Sequence, residues 1–265
     1  MRFDLHNHTF NSHDGFTTQE EIISSCVVNN INAIAITEHD KFCNLDEGLF
    51  SKNGIELING CEFTDDKGAH IVGLFIKNGD LRDNSASSII KFIKDQGGLV
   101  LIPHPFKPNS GYFTFHQESD LLFDCDFIEL INGGWKSKDF NSQILSISEK
   151  YGMKYLACSD SHKVSHLGLC LSEIKLSSKF TIGSAKKILT KCNQSEIILY
   201  IDKALLKEKG RKTNFIQTSK IYQLVLPLIP FLLRKYVKKA LYFFSSNQRV
   251  YKVKHSKIEA ENSPW

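Results

Sequence analysis

The stretch Arg2-Phe3-Asp4-Leu5-His6-Asn7-His8 decides how this sequence is read. Its first four residues predict a β-strand, and residues two apart on an extended chain point the same way, so His6 and His8 form a chelating pair at the strand end. Further short β-rich runs predict strands at Ala33 to Thr37, Glu56 to Cys61, Ala69 to Ile76, Gly98 to Pro103, Phe127 to Ile131 and Lys154 to Cys158. Helical stretches with readable ends lie between them. Thr17 and Thr18 each precede a glutamate by three residues (Glu20, Glu21), a doubled capping-box signal ahead of an apolar face of Ile22, Ile23, Cys26 and Val27. Helices starting near Ser85 and Asp139 stop at Gly97-Gly98 and at Gly152. Such repeated βα units predict a mainly parallel sheet, open or closed, with one hairpin around Thr64-Asp65-Asp66-Lys67-Gly68.

The chemistry collects at the ends of these strands. His39 ends the second and Glu62 the third; His70 sits in the fourth, His104 ends the fifth, and Asp160 and His162, again two apart, follow the seventh. Asp14 lies in the turn Ser12-His13-Asp14-Gly15. Imidazoles and carboxylates without thiolates suit Zn, Mn or Fe with positions left open for water or substrate. Nine ligands are too many for one ion. With Glu62 bridging they divide into three sites of three or four, which predicts up to three divalent ions per chain. Crowding these groups is costly unless cations neutralise them, so the metal-free protein should be the less stable form.

Composition bounds the rest. The 265 residues are 42% hydrophobic and 23% charged, a globular balance. The net charge of +4 conceals an asymmetry: residues 1–200 carry 19 Lys+Arg against 25 Asp+Glu, and residues 201–265 carry 14 against 4. The chain therefore divides into an acidic body, residues 1–200, suited to holding cations, and a basic amphipathic extension, residues 201–265. Seven scattered cysteines (26, 43, 61, 125, 158, 170, 192) without a CxxC pair argue for buried small side chains in a reducing compartment, not a disulfide framework. The N-terminus shows no apolar export segment, and the expected location is cytoplasmic. Ile221 to Leu233 is almost wholly apolar but has 13 residues, too few to span a bilayer, and Arg234, Lys235, Lys238 and Lys239 follow it. Two fates are open to residues 221–244: packing on the body or on another copy, or peripheral contact with anionic lipid.

The motifs resemble the PHP (polymerase and histidinol phosphatase) superfamily of metal-dependent phosphoesterases over about residues 3 to 170. Asp4-Leu5-His6-Asn7-His8-Thr9 with Ser12-x-Asp14-Gly15 is similar to its first motif, Thr37-Glu38-His39-Asp40 to its second, Pro103-His104-Pro105 to its third and Ser159-Asp160-Ser161-His162 to its fourth. Glu62 and His70 fit the two intervening ligands. The resemblance implies a distorted (β/α)7 TIM-like barrel, to which the composition adds a basic, partly hydrophobic helical tail. It also implies a trinuclear centre: His6, His8, Glu62 and Asp160 on one ion, Glu62, His70 and His104 on a second, Asp14, His39 and His162 on the third. Glu62, Asp160 and His162 then form the catalytic set. No ligand is missing, whereas metal-free modules of the family have lost such residues, and this implies an active enzyme of the small stand-alone type.

The expected reaction is hydrolysis of a phosphate ester by a metal-bridging hydroxide, with ions clamping the phosphoryl oxygens. Lys107 is the first candidate for a phosphate clamp and Lys41 the second; each is otherwise a solvated surface lysine. The leaving-group acid is open among His13, His166 and metal-bound water. A nucleotide or other small phosphomonoester is the expected substrate. The alternatives are short oligonucleotides cut as by an exonuclease, with the basic extension as phosphate track, a histidinol-phosphatase-like activity, and a non-enzymatic module at a membrane surface. The oligomeric state is left open.

Overall fold

The protein is described by a computed structural model covering residues 1–135, 140–202 and 255–258. In chain order the elements are β1 (Arg2–Asp4), α1 (Gln19–Asn29), β2 (Ala33–Ile36), α2 (Glu47–Lys52), β3 (Glu56–Thr64), β4 (His70–Leu74), α3 (Ala86–Asp95), β5 (Leu99–Ile102), α4 (Tyr112–Phe115), β6 (Phe127–Asn132), α5 (Asn141–Tyr151), β7 (Lys154–Cys158), β8 (Cys170–Ile174), α6 (Ala185–Lys191), β9 (Ile197–Asp202) and β10 (His255–Ile258). One sheet holds the strands in the order β10-β9-β8-β1-β2-β3-β4-β5-β6-β7. The sheet curls into a nearly closed barrel, as the TIM-like expectation requires. Its seam, between β7 and β8, is bridged by a side chain: the Ser172 hydroxyl accepts from Ala157 N (2.9 Å) and donates to Ala157 O (3.1 Å). Beyond the seam the chain after β7 pairs with the chain after β1, through an Asn7–Ser161 bridge and His8 N donating to Ser161 O at 2.8 Å.

The helix ends follow local chemistry. Of the two capping boxes in the sequence, Thr18–Glu21 forms: Thr18 Oγ1 accepts from Glu21 N, and Glu21 Oε2 accepts from Thr18 N. The buried face of α1 is Ile22, Ile23 and Cys26; Val27, expected with them, is more than half exposed. Gly97 and Gly152 end α3 and α5 in the left-handed conformation, at φ 71° and 69°. On β2 the period of two sorts residues by size. Ala33 and Ala35 join the barrel core, and Ile34 and Ile36 pack outward with Ile22, Cys26 and Phe50. Small side chains inside leave room in a narrow barrel.

Two expectations are corrected. The sheet is not mainly parallel: β1–β2, β2–β3, β5–β6 and β6–β7 are parallel, and the other five ladders are antiparallel. Three of these, β1–β8, β8–β9 and β9–β10, lie at the other end of the sheet, and two arise at the hairpin between β3 and β4, whose tip closes as Asp65 Oδ1 accepts from Lys67 N and Ala69 N. After that reversal β5 must run against β4 to regain its direction. Second, β3 continues past Cys61 to Thr64, so Glu62 lies inside a strand, opposite Val72, rather than at its end.

All seven cysteines are free, and six are buried. Four residues of the extension, His255–Ile258, form a strand antiparallel to β9 where a helical tail was expected. The segment Ile221 to Leu233 lies outside the described residues. Among the described residues no helix is long and apolar enough to cross a membrane.

Candidate metal centre

The topology carries the nine predicted ligands to one rim of the barrel. His6, His8, His39, His104, Asp160 and His162 follow the ends of β1, β2, β5 and β7, and Glu62 projects from β3. His70 is the first residue of β4, and because that strand runs the opposite way its beginning lies where the other strands end. Asp14 arrives on the loop after β1, held by Phe16 N donating to His162 O at 2.9 Å.

Each of the nine has a donor atom within 4 Å of another member. His6 Nε2 and His8 Nε2 are 3.1 Å apart, Glu62 Oε2 is 3.4 and 3.3 Å from them, and Asp160 Oδ1 is 3.5 and 3.6 Å from them. Glu62 Oε1 faces His70 Nδ1 at 2.7 Å and His104 Nε2 at 3.1 Å. Asp14 Oδ2 is 3.6 Å from His39 Nε2 and 3.1 Å from His162 Nε2. His39 links these groups, its Nδ1 being 3.0 Å from Glu62 Oε2. Two left-handed backbones turn ligands toward the centre, His104 at φ 27° and Asp160 at φ 47°. Such conformations cost energy outside glycine and persist where the surroundings impose them.

Divalent ions fit this arrangement. A tetrahedral ion with bonds of about 2.0–2.1 Å holds its ligand atoms about 3.3–3.4 Å apart, close to the three spacings among His6, His8 and Glu62. Glu62 Oε2, His104 Nδ1 and Asp14 Oδ1 are buried without a hydrogen-bond partner. An orphaned carboxylate oxygen costs stability unless something occupies the space it faces. Five sets of three donors are each compact enough for an ion: His6-His8-Glu62, His6-His104-Asp160, His39-Glu62-His70, His8-His39-His162 and His13-Asp14-His39.

The electrostatics tell the same story. Burial pushes the Glu62 carboxyl upward, but His6, His70 and His39 overcome it and hold the group well below its ordinary range. Asp160 is likewise held low against its burial by His6, His8, Lys107 and His162. Asp14 is held low against its burial by His162 and His39. Conversely, burial would lower His6 and His39, yet Glu62 with Asp160 or Asp14 raises both well above their ordinary value; Asp14 and Asp160 raise His162 in the same way. Without cations the histidines therefore act as counter-ions to the carboxylates. His104 is lowered by burial first and by Lys107 next.

Lys107 reaches the centre, with Nζ 3.7 Å from Asp160 Oδ2 and one third of the side chain exposed. Burial would lower its ammonium, but Asp160, Glu62, Glu129 and Asp14 raise it, keeping it charged. Lys41 lies exposed after Asp40, whose carboxylate accepts from Thr64 N and Oγ1. His13 stands at the mouth, 60% exposed, with its ring 5.1 Å from that of His39. His166 lies in the short turn Val164–His166. His116 is paired to Asp65 across the hairpin tip, as a satisfied histidine should be.

Glu129 was missed as a site residue. Fully buried on β6, it accepts from His104 N (2.7 Å) and Asn132 Nδ2 (2.6 Å) on Oε2, and its Oε1 lies 2.9 Å from His6 Nδ1. One carboxylate thus orients the ring of one ligand and the backbone of another. An acidic residue interrupting the apolar run Phe127-Ile128-Glu129-Leu130-Ile131 was the available signal.

Comparison with known proteins agrees with this geometry. Two uncharacterized proteins of Methanocaldococcus jannaschii are similar in sequence. One is 29% identical over 149 residues, covering 50% of this chain and 82% of the relative; the other is 26% identical over 228 residues, covering 78% and 99%. The fold is similar to a two-domain protein of Bacteroides vulgatus containing a predicted PHP-like metal-dependent phosphoesterase, with TM-score 0.62, 16% identity and coverage of 81% of this chain and 73% of that one. It is also similar to a lesion-specific endonuclease of Pyrococcus furiosus, with TM-score 0.51, 17% identity and coverage of 92% and 90%. The PHP domain matches residues 4–203, the span that holds all nine clustered donor residues, and by that match the chain belongs to the PHP domain family.

Proposed function

We propose that this protein is a trinuclear metal-dependent hydrolase of phosphate esters acting on a nucleotide or other small phosphomonoester. The observation that carries the reading is the trio His6, His8 and Glu62, spaced as an ion's ligands, with Glu62 Oε2 buried and making no hydrogen bond. Glu62, His70 and His104 would hold a second ion, and Asp14, His39 and His162 a third. Bound divalent ions would supply Lewis acidity toward the phosphoryl oxygens and a water acidified toward neutral pH. The chain's own groups do the rest. Glu129 and the barrel wall hold the ligands in place, and Lys107, charged beside Asp160, receives a phosphoryl oxygen. Lys41 is a second contact farther out. His13, exposed at the mouth, is better placed than any other candidate to hand a proton to a leaving group.

The test is metal analysis of the purified full chain together with hydrolysis of an aryl phosphate and a panel of nucleotides. Dialysis against chelator should abolish turnover, and Mn or Zn should restore it. Less than one ion per chain with no hydrolysis across the panel overturns the reading. An exonuclease acting on short oligonucleotides is the second reading, favoured by the excess of cations in residues 201–265. It predicts oligonucleotide affinity that falls steeply with salt and is lost when the segment is removed. Liposome flotation separates both from peripheral membrane contact through residues 221–244.

A further inference from the structure

Beside the candidate centre, four aromatic rings stand in a row. Trp135, Phe140, Phe106 and Phe113 follow one another with ring centroids 5.9, 4.7 and 5.2 Å apart and interplanar angles of 27°, 7° and 26°. All four are half-buried, unlike the core rings Phe3, Phe63 and Phe127, which are at most 3% exposed. Phe106 and Phe113 come from the chain after β5, Trp135 and Phe140 from the chain after β6. Both stretches are tied to the centre. Phe106 lies between His104 and Lys107 in the chain, and Phe113 N donates to Pro105 O at 2.9 Å, which folds that loop back on itself. On the other side Gly134 lies against a candidate ligand: a Cβ added there would come within 2.7 Å of Asp160 Oδ2. The next residue is Trp135. Its N donates to Asn132 Oδ1 at 2.7 Å, and Asn132 Nδ2 donates at 2.6 Å to Glu129, the carboxylate that also meets His6 and the His104 backbone.

Within the row Phe140 and Phe106 each lie between two rings, and Phe113 meets Tyr112 edge-on at 5.2 Å. Among the described residues Trp135 has one ring neighbour, Phe140, so the indole is the end of the row that can take another planar group. Lys107 Nζ and Gly134 approach the same oxygen, Asp160 Oδ2. A charge suited to a phosphoryl group and a surface suited to a ring therefore begin at one point of the rim. We propose that Trp135 is a specificity-determining contact: it stacks on a planar ring carried by the alcohol portion of the phosphate ester, favouring such esters over those of ringless alcohols. A nucleobase and a small aryl group share this chemistry, because each offers a π-face to the indole. The proposal rests on the phosphoesterase reading and narrows its substrate class.

The experiment supplies the full chain with Mn and compares pairs of esters that break the same kind of bond: adenosine 5′-phosphate with ribose 5-phosphate, and benzyl phosphate with ethyl phosphate. In at least one pair the ring-bearing ester should have a KM about tenfold lower, and the pair that shows it distinguishes a nucleobase from a small aryl ring. Trp135→Leu should erase the difference with metal content intact, and Trp135→Phe should keep most of it. Binding is read separately in a Trp265→Phe chain, where Trp135 is the one tryptophan left. There the non-hydrolysable phosphonates of adenosine or benzyl alcohol should quench the indole fluorescence saturably, and methylphosphonate should not. Equal KM values within both pairs, a difference that survives Trp135→Leu, or an absence of quenching overturns the proposal and leaves hydrolysis itself standing wherever the esters are cleaved. Saturable quenching in a chain that cleaves none of them supports the ring contact and overturns the phosphoesterase reading instead. If Trp135→Leu fails to fold, the wild-type KM pairs and the quenching decide.

Discussion

The two halves of the candidate centre are built differently. The inner wall, made by His6, His8, Glu62, His104 and Asp160, is at most 3% exposed, and its imidazoles are backed by groups outside the shared pocket. Glu129 holds His6 and the His104 backbone, and Ser12 holds His8. The outer rim, made by Asp14, His39 and His162, is 15–33% exposed; Asp14 joins the two histidines, which also reach the inner wall at Glu62 and Asp160. A buried ligand needs a second group to fix its tautomer, because water is absent to compensate a wrong one. A rim ligand can be satisfied by solvent and stays adjustable. The inner wall is accordingly expected to bind ions tightly, and the rim to exchange its ion and meet the substrate.

The largest effect should come from the inner wall. Asp160→Ala should remove an ion and more than about 100-fold of aryl phosphate turnover while secondary structure persists, read by metal analysis, kinetics and circular dichroism. Retained activity, or an unfolded chain, would break the assigned role. Asp14→Ala should cost one ion of the rim and leave the other two in place. If it empties the whole centre, the distinction between wall and rim is wrong.

Glu129→Gln should follow, weakening metal binding about 10–100-fold in calorimetric titration, because the His6 ring loses its charged acceptor. An unchanged affinity would show that burial alone suffices to orient the wall. Lys107→Ala should have a smaller effect still, raising KM about tenfold with metal content intact, as expected for loss of one charge-assisted contact to phosphate.

Acidity sharpens the same comparison in the metal-free chain. His6, His39 and His162 are raised above 6.5, so their contribution to stability is complete below that value and is lost as pH rises through their folded values. Glu62, Asp160 and Asp14 are depressed from 4.5 and 3.8, so theirs is present above that range and is lost on acidification. Melting curves of chelated protein should therefore weaken as pH climbs past neutral, and added Mn or Zn, replacing the histidine protons, should cancel the decline. Equal decline with and without metal would count against ions in this pocket.

Much of the centre was legible because motif residues lie beside strand ends. The pairs His6/His8 and Asp160/His162 reveal themselves through a spacing of two, and Glu62 and His70 through flanking motifs. Glu129 was not legible as a support. Its importance lies in contacts to residues 25 and 123 positions away in the chain. Nor did the alternation of βα units disclose the five antiparallel ladders, since a helix can connect strands of either relative direction once a hairpin has reversed the chain.

By itself the sequence determined the donor set, its preference for divalent ions and the family of barrel, because residue chemistry and strand periodicity are local properties. Tertiary structure alone decided which donors share a pocket, that Lys107 reaches Asp160 while Lys41 lies on an exposed loop, and which buried carboxylate acts as a support. The reason is geometric: distances between side chains on different strands depend on sheet order, strand direction and burial, which the nearly closed barrel sets as a whole.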